Sequence, residues 1–230
     1  MDIKKITLPD LSQAVVLNEE LDKRELWFKS RLGKFTSSEL GRLMTYENDI
    51  HELPKGALTY IEEKALEIMT DGRSVNQFTN ESMERGNEKE IEAIEVFEKK
   101  FGVKCYATGS DQEFIQLSSY FGGTPDGLID DDDMAEVKCP NSKTHLFRIN
   151  NIRCQESFKK HEKGYYWQIQ GNLMASGRKR CFFIDYDDRF VNEELQLFVI
   201  EIHRNEEDIQ KAKIRLEMAE KVKQHLLKNW

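Results

Sequence analysis

A mixed β-sheet flanked by helices, an α/β chain of the α+β kind, is the fold that three features of the sequence predict. Between Glu25 and Phe101 apolar residues recur at helical spacing, and between Phe114 and Cys139 they fall in short runs bounded by turn residues. From Tyr165 onwards a helix, two strands and a long final helix follow one another. Helices, a strand cluster and then both together place the strands in one sheet with helices against its faces.

The segment from Glu25 to Met44 reads as helical, with TSSE (Thr36 to Glu39) matching a capping box ahead of LGRLM. Pro54 suits the first position of a second helix, along which Leu58, Ile61, Ala65, Leu66 and Met69 recur to about Thr70. A third helix runs from Asn80 to Phe101 and stops at Gly102, a C-cap residue. Phe114 to Leu117, Gly127 to Asp130 and Met134 to Cys139 are expected strands, with Asp130 to Asp133 as an exposed turn between the last two. Tyr165 to Ala175 forms a helix closed by Gly177, and CFFIDYD (Cys181 to Asp187) and LQLFVIEI (Leu195 to Ile202) form strands. The final helix starts near Glu206 and carries a narrow apolar seam through Ile209, Ala212, Leu216, Ala219 and Leu226.

A chain of 230 residues with 39% hydrophobic content can bury one substantial core. It is expected to form a single domain over 1–230, with 1–24 as an N-terminal extension and 205–230 as a C-terminal helix. No apolar run approaches the roughly 20 residues that span a bilayer, and MDIKKITLPDLSQ holds no apolar signal core, so the cytoplasm is the expected compartment. Cys105, Cys139, Cys154 and Cys181 are scattered without a CxxC pair, which makes them buried thiols rather than ligands of zinc or an iron–sulfur cluster. A net charge of −8 opposes general affinity for nucleic acid, so a polyanion would need a local basic groove or bound cations.

The chemistry concentrates in GGTPDGLIDDDDMAEVKCP. On a strand from Met134 to Cys139, Ala135, Val137 and Cys139 face one way while Glu136 and Lys138 face the other. Asp126 opens the preceding strand, and a hairpin through the acidic turn brings its carboxylate towards that pair. Two carboxylates and an ammonium are what phosphodiester hydrolysis asks for: oxygen ligands for Mg²⁺ and a lysine to orient or deprotonate water. The same string also fits a solvated hairpin with an i, i+2 ion pair.

On the third helix, Met83, Gly86, Asn87, Glu90, Ile94, Phe97 and Phe101 define the inward stripe, which places Glu90 on a line of core residues. Glu88, Glu92, Glu95 and Glu98 fall elsewhere, as solvated positions. A carboxylate on a buried stripe needs a cation or a metal, although an edge position reaching water or a lysine also satisfies the spacing. Gln168 shares a side of its helix with Tyr165 and Asn172, a polar patch fit to support a water or a lysine. Arg31 precedes the TSSE turn and Ser38 lies within it, an arrangement of guanidinium, hydroxyl and free helix amides that suits a phosphate.

Five stretches carry a resemblance: WFKSRLGKFTSSEL (Trp27 to Leu40), RGNEKEIEAIEVF (Arg85 to Phe97), TPDG with AEVKCP (Thr124 to Pro140), YYWQIQGNLMAS (Tyr165 to Ser176) and FFIDYDDRF (Phe182 to Phe190). In this order they resemble the phage lambda-type exonucleases, viral recombinases of the PD-(D/E)xK nuclease superfamily with a restriction-endonuclease-like fold. The resemblance implies a 5′-to-3′ exonuclease on linear double-stranded DNA that leaves a 3′ single-stranded overhang for strand annealing. It implies Mg²⁺, or Mn²⁺ in its place, bound by Asp126, Glu136 and the carbonyl of Val137, with Glu90 assisting. Lys138 and Gln168 would position the water, and Arg31, Ser38 and Thr124 would hold the terminal 5′-phosphate. It further implies a ring-shaped homotrimer, a single-strand annealing protein as partner, no membrane association, and the cytoplasm of a bacterial host of phage or prophage. Thr124 stands where relatives carry Ser, Arg85 where they carry Trp and Asp188 where they carry Pro. The segment YENDIHEL (Tyr46 to Leu53) lacks the basic residues of a duplex-probing loop. Other nucleases of the superfamily, endonucleolytic or helicase-associated, and a non-catalytic DNA-end scaffold are the competing readings.

Overall fold

The computed structural model describes residues 25–46, 49–74 and 81–229, and of residues 81–87 the backbone alone. The extension expected over 1–24 lies outside the described residues, as do Asn80, part of the segment Tyr46 to Leu53, and the side chains of Met83, Arg85 and Asn87.

A helix over 25–31 (α1) leads to the short strand β1 (Phe35–Thr36) and a 3-10 helix, Ser37–Arg42. Helices α2 (Lys55–Met69) and α3 (Glu81–Phe101) precede four strands: β2 (Ile115–Ser118), β3 (Phe121–Gly123), β4 (Gly127–Ile129) and β5 (Asp133–Lys138). Helices α4 (Ser142–Asn151), α5 (Gln155–His161) and α6 (Lys163–Ser176) carry the chain to β6 (Arg180–Tyr186), and β7 (Leu197–His203) and α7 (Glu206–Lys228) follow. The main sheet has the order β4-β5-β6-β7, with β5 and β6 parallel and the outer pairs antiparallel. A parallel pair needs a long crossover, which α4, α5 and α6 supply. A second, smaller sheet has the order β1-β3-β2.

Strand alternation divides the core in two. Ala135 and Val137 of β5 and Phe182, Ile184 and Tyr186 of β6 pack with Ala93, Ile94 and Phe97 of α3. Met134, Cys181 and Phe183 face the other way, among Phe158, Tyr166, Trp167, Ile169 and Leu173 of α5 and α6. Each fully buried side chain of this size contributes roughly 1.5–3 kcal/mol. Glu136 and Lys138 therefore fall on the α6 face, as the period of two requires.

Several elements depart from the sequence reading. Thr36 makes no side-chain cap bond, so the capping box is absent. Its backbone is extended and pairs in parallel with Gly122, while its N–H donates to the Tyr60 hydroxyl at 3.0 Å. Helices α4 and α5 were not foreseen, although Asn141 caps α4 by accepting from the Thr144 N–H at 3.0 Å. Asp133 belongs to β5 and pairs with Arg180. Phe101 leaves the inward stripe of α3 with 44% of its surface exposed, and Cys154 is exposed rather than buried. The apolar seam of α7 is spent internally: Ile209, Ala212, Leu216 and Ala219 are buried in the core that also takes Ala57, Tyr60 and Ile61 of α2. None of the described helices is long and apolar enough to cross a membrane.

From α7, Arg215 reaches inward with 1% of its surface exposed, and its guanidinium donates to the carbonyls of Leu43, Thr45, Tyr46, Asp49 and Ile50. One side chain thus satisfies the loop after the 3-10 helix. Arg215→Met strands those carbonyls and is expected to cost about 3 kcal/mol, read as a lower urea midpoint.

Candidate active site

The β4–β5 hairpin assembles the centre. Asp126, just ahead of β4, donates its N–H to the Ala135 carbonyl at 3.1 Å, and its Oδ2 accepts from the Val137 N–H at 2.7 Å. That bond turns the carboxylate onto the face that carries Glu136 and Lys138. Lys138 Nζ then donates to Glu136 Oε1 at 2.6 Å, to the Val137 carbonyl at 2.8 Å and to Asp126 Oδ2 at 3.4 Å. One ammonium stands in a cradle of three oxygens, two from carboxylates and one from a carbonyl. A donor set made only of oxygen is what Mg²⁺ or Mn²⁺ selects, and Lys138 shows that these oxygens converge on a single cation. Among the described residues no three His, Cys, Asp or Glu side chains enclose a metal position by themselves, and the third oxygen of the cradle is the Val137 carbonyl.

Glu90 arrives from α3. The helix is fixed beside the sheet by Lys89 pairing with Asp188 at 2.6 Å and by Glu92 accepting from the Tyr186 hydroxyl at 2.7 Å. Asp188 thus ties down the helical turn that presents Glu90. Glu92 is a structural acceptor rather than a merely solvated residue, and Glu98 likewise accepts from the Cys105 N–H at 2.7 Å. Gln112 bridges the two sides, donating to Glu90 Oε1 at 2.7 Å and to the Asp126 carbonyl at 3.4 Å. From α6, one turn apart, Gln168 donates to Glu136 Oε1 and Asn172 to Glu136 Oε2 at 3.2 Å.

Three carboxylates thus share one ammonium. Burial, followed by the charge of Asp126, pushes Glu90 up to about 7 and the fully buried Glu136 up to about 8. Burial opposes the Lys138 ammonium, yet Asp126 and Glu136 outweigh it and hold its pKa well above the ordinary lysine value. A cluster of acids so perturbed, crowded around one ammonium, is chemically suited to a further cation.

A cleft of about 180 Å³ adjoins this centre, lined by Asp126 and Gln168 together with Trp27, Arg31, Thr36, Ser37, Ser38, Gln112 and Thr124. The Arg31 guanidinium lies 4.0 Å over the Trp27 ring and forms no ion pair among the described residues. Burial pulls its pKa down. Ser38 Oγ is 3.1 Å from Thr36 Oγ1, and the buried Thr124 Oγ1 has no hydrogen-bond partner among the described residues. A guanidinium with no ion pair and a buried hydroxyl with no hydrogen-bond partner among the described residues, facing one cleft, are complementary to a phosphate.

The structure therefore gathers Asp126, Glu136, the Val137 carbonyl, Lys138, Glu90 and Gln168 at one centre, and Arg31, Ser38 and Thr124 at the cleft beside it. Sequence reasoning missed Gln112, which falls in an irregular stretch after the 3-10 turn Gly109–Asp111. The polar patch expected around Gln168 is present, but its amides hold Glu136.

Residues 26–179 match the family model of the YqaJ-like viral recombinase domain. The chain belongs to this family. All the candidate side chains, from Arg31 to Gln168, fall inside the YqaJ-like segment, whereas β6, β7 and α7 follow it. Among solved structures, the alkaline exonuclease LHK-Exo from Laribacter hongkongensis is similar at 27% identity and a TM-score of 0.74, over 89% of this chain and 95% of that one. LHK-Exo in complex with dAMP gives 26% identity with the same coverage and TM-score. A phage-related exonuclease from Haemophilus somnus 129PT shares the fold, at 19% identity and a TM-score of 0.68 over 85% of this chain and 96% of that one. No curated protein matches the sequence significantly. The mixed sheet flanked by helices in this YqaJ-like chain is thus an exonuclease-type nuclease fold.

Proposed function

We propose that the chain is a divalent-cation-dependent exonuclease that degrades one strand of linear double-stranded DNA from its 5′ end and leaves a 3′ overhang for strand annealing. The observation that carries this reading is the continuity of the cleft: Asp126 and Gln168 line it together with Arg31, Ser38 and Thr124. A terminal phosphate held at one end sets which phosphodiester lies at the other. The likeness to an alkaline exonuclease and to its complex with dAMP supports the substrate class.

Asp126, Glu136 and the Val137 carbonyl would hold Mg²⁺, with Mn²⁺ as an alternative, and Glu90 would assist from α3. When bound, the cation supplies neutralisation of the phosphoryl charge and a more acidic water. Lys138 keeps its proton on Nζ while Asp126 and Glu136 face it, and its three N–H groups go to Glu136, the Val137 carbonyl and Asp126. With one of these released it would orient the attacking water as a donor rather than deprotonate it. Gln168 and Asn172 occupy both oxygens of Glu136 and fix its plane. Arg31 donates to the 5′-phosphate, and the Thr124 and Ser38 hydroxyls complete its shell. The reading includes one domain over the whole chain, a homotrimer around the duplex, and an annealing protein as partner, on the strength of the resemblance between Trp27 and Phe190. Since the seam of α7 is buried within the protomer, subunit contacts would use other surfaces.

The test is release of nucleotides from linear duplexes with and without a 5′-phosphate, in Mg²⁺, Mn²⁺ and EDTA, with a closed circle as control. Metal-dependent loss of the 5′-phosphorylated strand with the circle intact is expected, and cutting of the circle would replace the exonuclease by an endonuclease. In the same assay Arg31→Ala is expected to slow digestion of 5′-phosphorylated ends roughly 10- to 100-fold, the worth of one charge-assisted hydrogen bond, while 5′-hydroxyl ends keep their rate.

A further inference from the structure

Asn172 is fully buried, and its two polar atoms have unequal fates. Nδ2 donates to Glu136 Oε2 at 3.2 Å, whereas Oδ1 is buried without a hydrogen-bond partner among the described residues. Oδ1 lies above Gly123, where the Ser37 hydroxyl also sits: a Cβ on Gly123 would collide with both atoms. Ser37 is wedged from the other side by Gly171, whose added Cβ would stand 2.9 Å from Ser37 Oγ. The bond of Ser37 Oγ to the Gly122 carbonyl is long, at 3.4 Å. Ser37 Oγ and Asn172 Oδ1 border the same point, where a Cβ on Gly123 would stand, so a shift of the 3-10 helix together with rotation of the hydroxyl would bring the Ser37 donor to Asn172 Oδ1. Ser37 also lines the cleft beside Arg31 and Ser38.

We propose that Asn172 is a positioning residue that links the phosphate cleft to the Glu136 carboxylate through Ser37, across a space kept open by the missing side chains of Gly123 and Gly171. The chain runs from the cleft wall at Ser37 to Asn172 Oδ1, and from Asn172 Nδ2 to Glu136 Oε2. An anion seated against Ser37 and Ser38 settles the 3-10 helix, Ser37 donates to Asn172, and Asn172 holds Glu136 in one orientation. The consequence is that the end phosphate raises the rate of the chemical step as well as tightening binding. This inference rests on the exonuclease reading for its phosphate half and on geometry alone for its Glu136 half.

Three variants of the full chain separate the parts. Asn172→Leu keeps the approximate shape and removes both polar atoms. The Mn²⁺ concentration that gives half of the maximal thermal stabilisation is expected to rise roughly 10- to 100-fold, the usual effect of losing a partner of a metal ligand. A merely structural role would lower the melting temperature without Mn²⁺ and leave that midpoint in place. Ser37→Ala keeps the Asn172–Glu136 bond, so the Mn²⁺ midpoint is expected to stay, while the kcat advantage of 5′-phosphate over 5′-hydroxyl ends falls by a larger factor than KM for the end rises. Gly123→Ala, which drives Asn172 and Ser37 apart, is expected to show both defects. A folded Asn172→Leu protein with the wild-type Mn²⁺ midpoint, or a Ser37→Ala protein with the wild-type phosphate advantage in kcat, would overturn the proposal. A wild-type protein that releases no nucleotide in any metal would instead remove the exonuclease reading, and the Mn²⁺ titration of Asn172→Leu would still decide the Asn172–Glu136 half.

Discussion

Asp126→Ala is expected to lower nucleotide release from linear duplex DNA by about 10³-fold or more while leaving the protein folded. The size follows from position: the carboxylate is one wall of the oxygen cradle and also lines the cleft, and removing one member of a unit that acts together disables the unit. The cost to the fold is small by comparison. The Val137 N–H loses its acceptor, worth about 1–3 kcal/mol when the group is left buried and unpaired, but Lys138 keeps Glu136 and the Val137 carbonyl. Part of that cost is returned, because the Asp126 charge that opposes ionisation of Glu90 and Glu136 is gone. Asp126→Asn retains an acceptor for Val137 and should be as inactive, with stability equal to or above the wild type in the absence of metal. Circular dichroism and urea unfolding check the fold, and nucleotide release checks the chemistry. Activity within tenfold of the wild type would sink the assignment of Asp126.

What made Asp126 legible in the sequence also explains what stayed hidden. Period-two alternation places Glu136 and Lys138 on the face opposite Ala135 and Val137, and the described sheet keeps that division, because a one-residue slip would turn the apolar set of β5 away from α3. Glu90 was visible as a carboxylate in register with Ile94 and Phe97 on α3. Gln112 acts through long-range bonds to Glu90 and the Asp126 carbonyl, and Asn172 through one to Glu136. No local pattern marks such a bond, although the helical step from Gln168 to Asn172 put both on one side. Strand β3 escaped notice since Phe121–Gly123 supplies little side chain to alternate, and its glycines are what admit Ser37 and Phe114 against the backbone. The TSSE string satisfied the capping-box pattern, and Thr36 does precede the 3-10 helix with an extended backbone, but its hydroxyl lies 3.1 Å from Ser38 Oγ instead of accepting from a backbone N–H. Short α4 and α5 carried cap signals at Asn141 and Ser157 but too few apolar residues for a periodic stripe.

Without a divalent cation the protein is expected to lose stability as pH rises from about 5 to about 8, by on the order of 3 kcal/mol, and Glu136→Gln is expected to remove most of that loss. Glu90 and Glu136 stand at about 7 and about 8, chiefly through burial and then through Asp126. Between the ordinary glutamate range and those values the unfolded chain has released both protons and the folded chain retains them. The folded state therefore binds more protons, and the stability of folding falls as pH rises through this window. Carboxylates of the opposite kind do not interfere. Asp187 and Asp208 are lowered, burial being outweighed by Arg189 and Lys159, and their contribution is lost only as pH falls through values below the ordinary aspartate range. His145, raised because Asp185 outweighs its burial, adds stability that also fades as pH rises, so the slope that counts is the difference between wild type and Glu136→Gln. A cation at the cradle must displace the same protons, so stabilisation by Mn²⁺ should grow with pH over this range in the wild type and much less in the variant. Equal pH slopes in the two proteins would mean that Glu136 is already ionised beside Lys138, and that the ammonium alone balances the site.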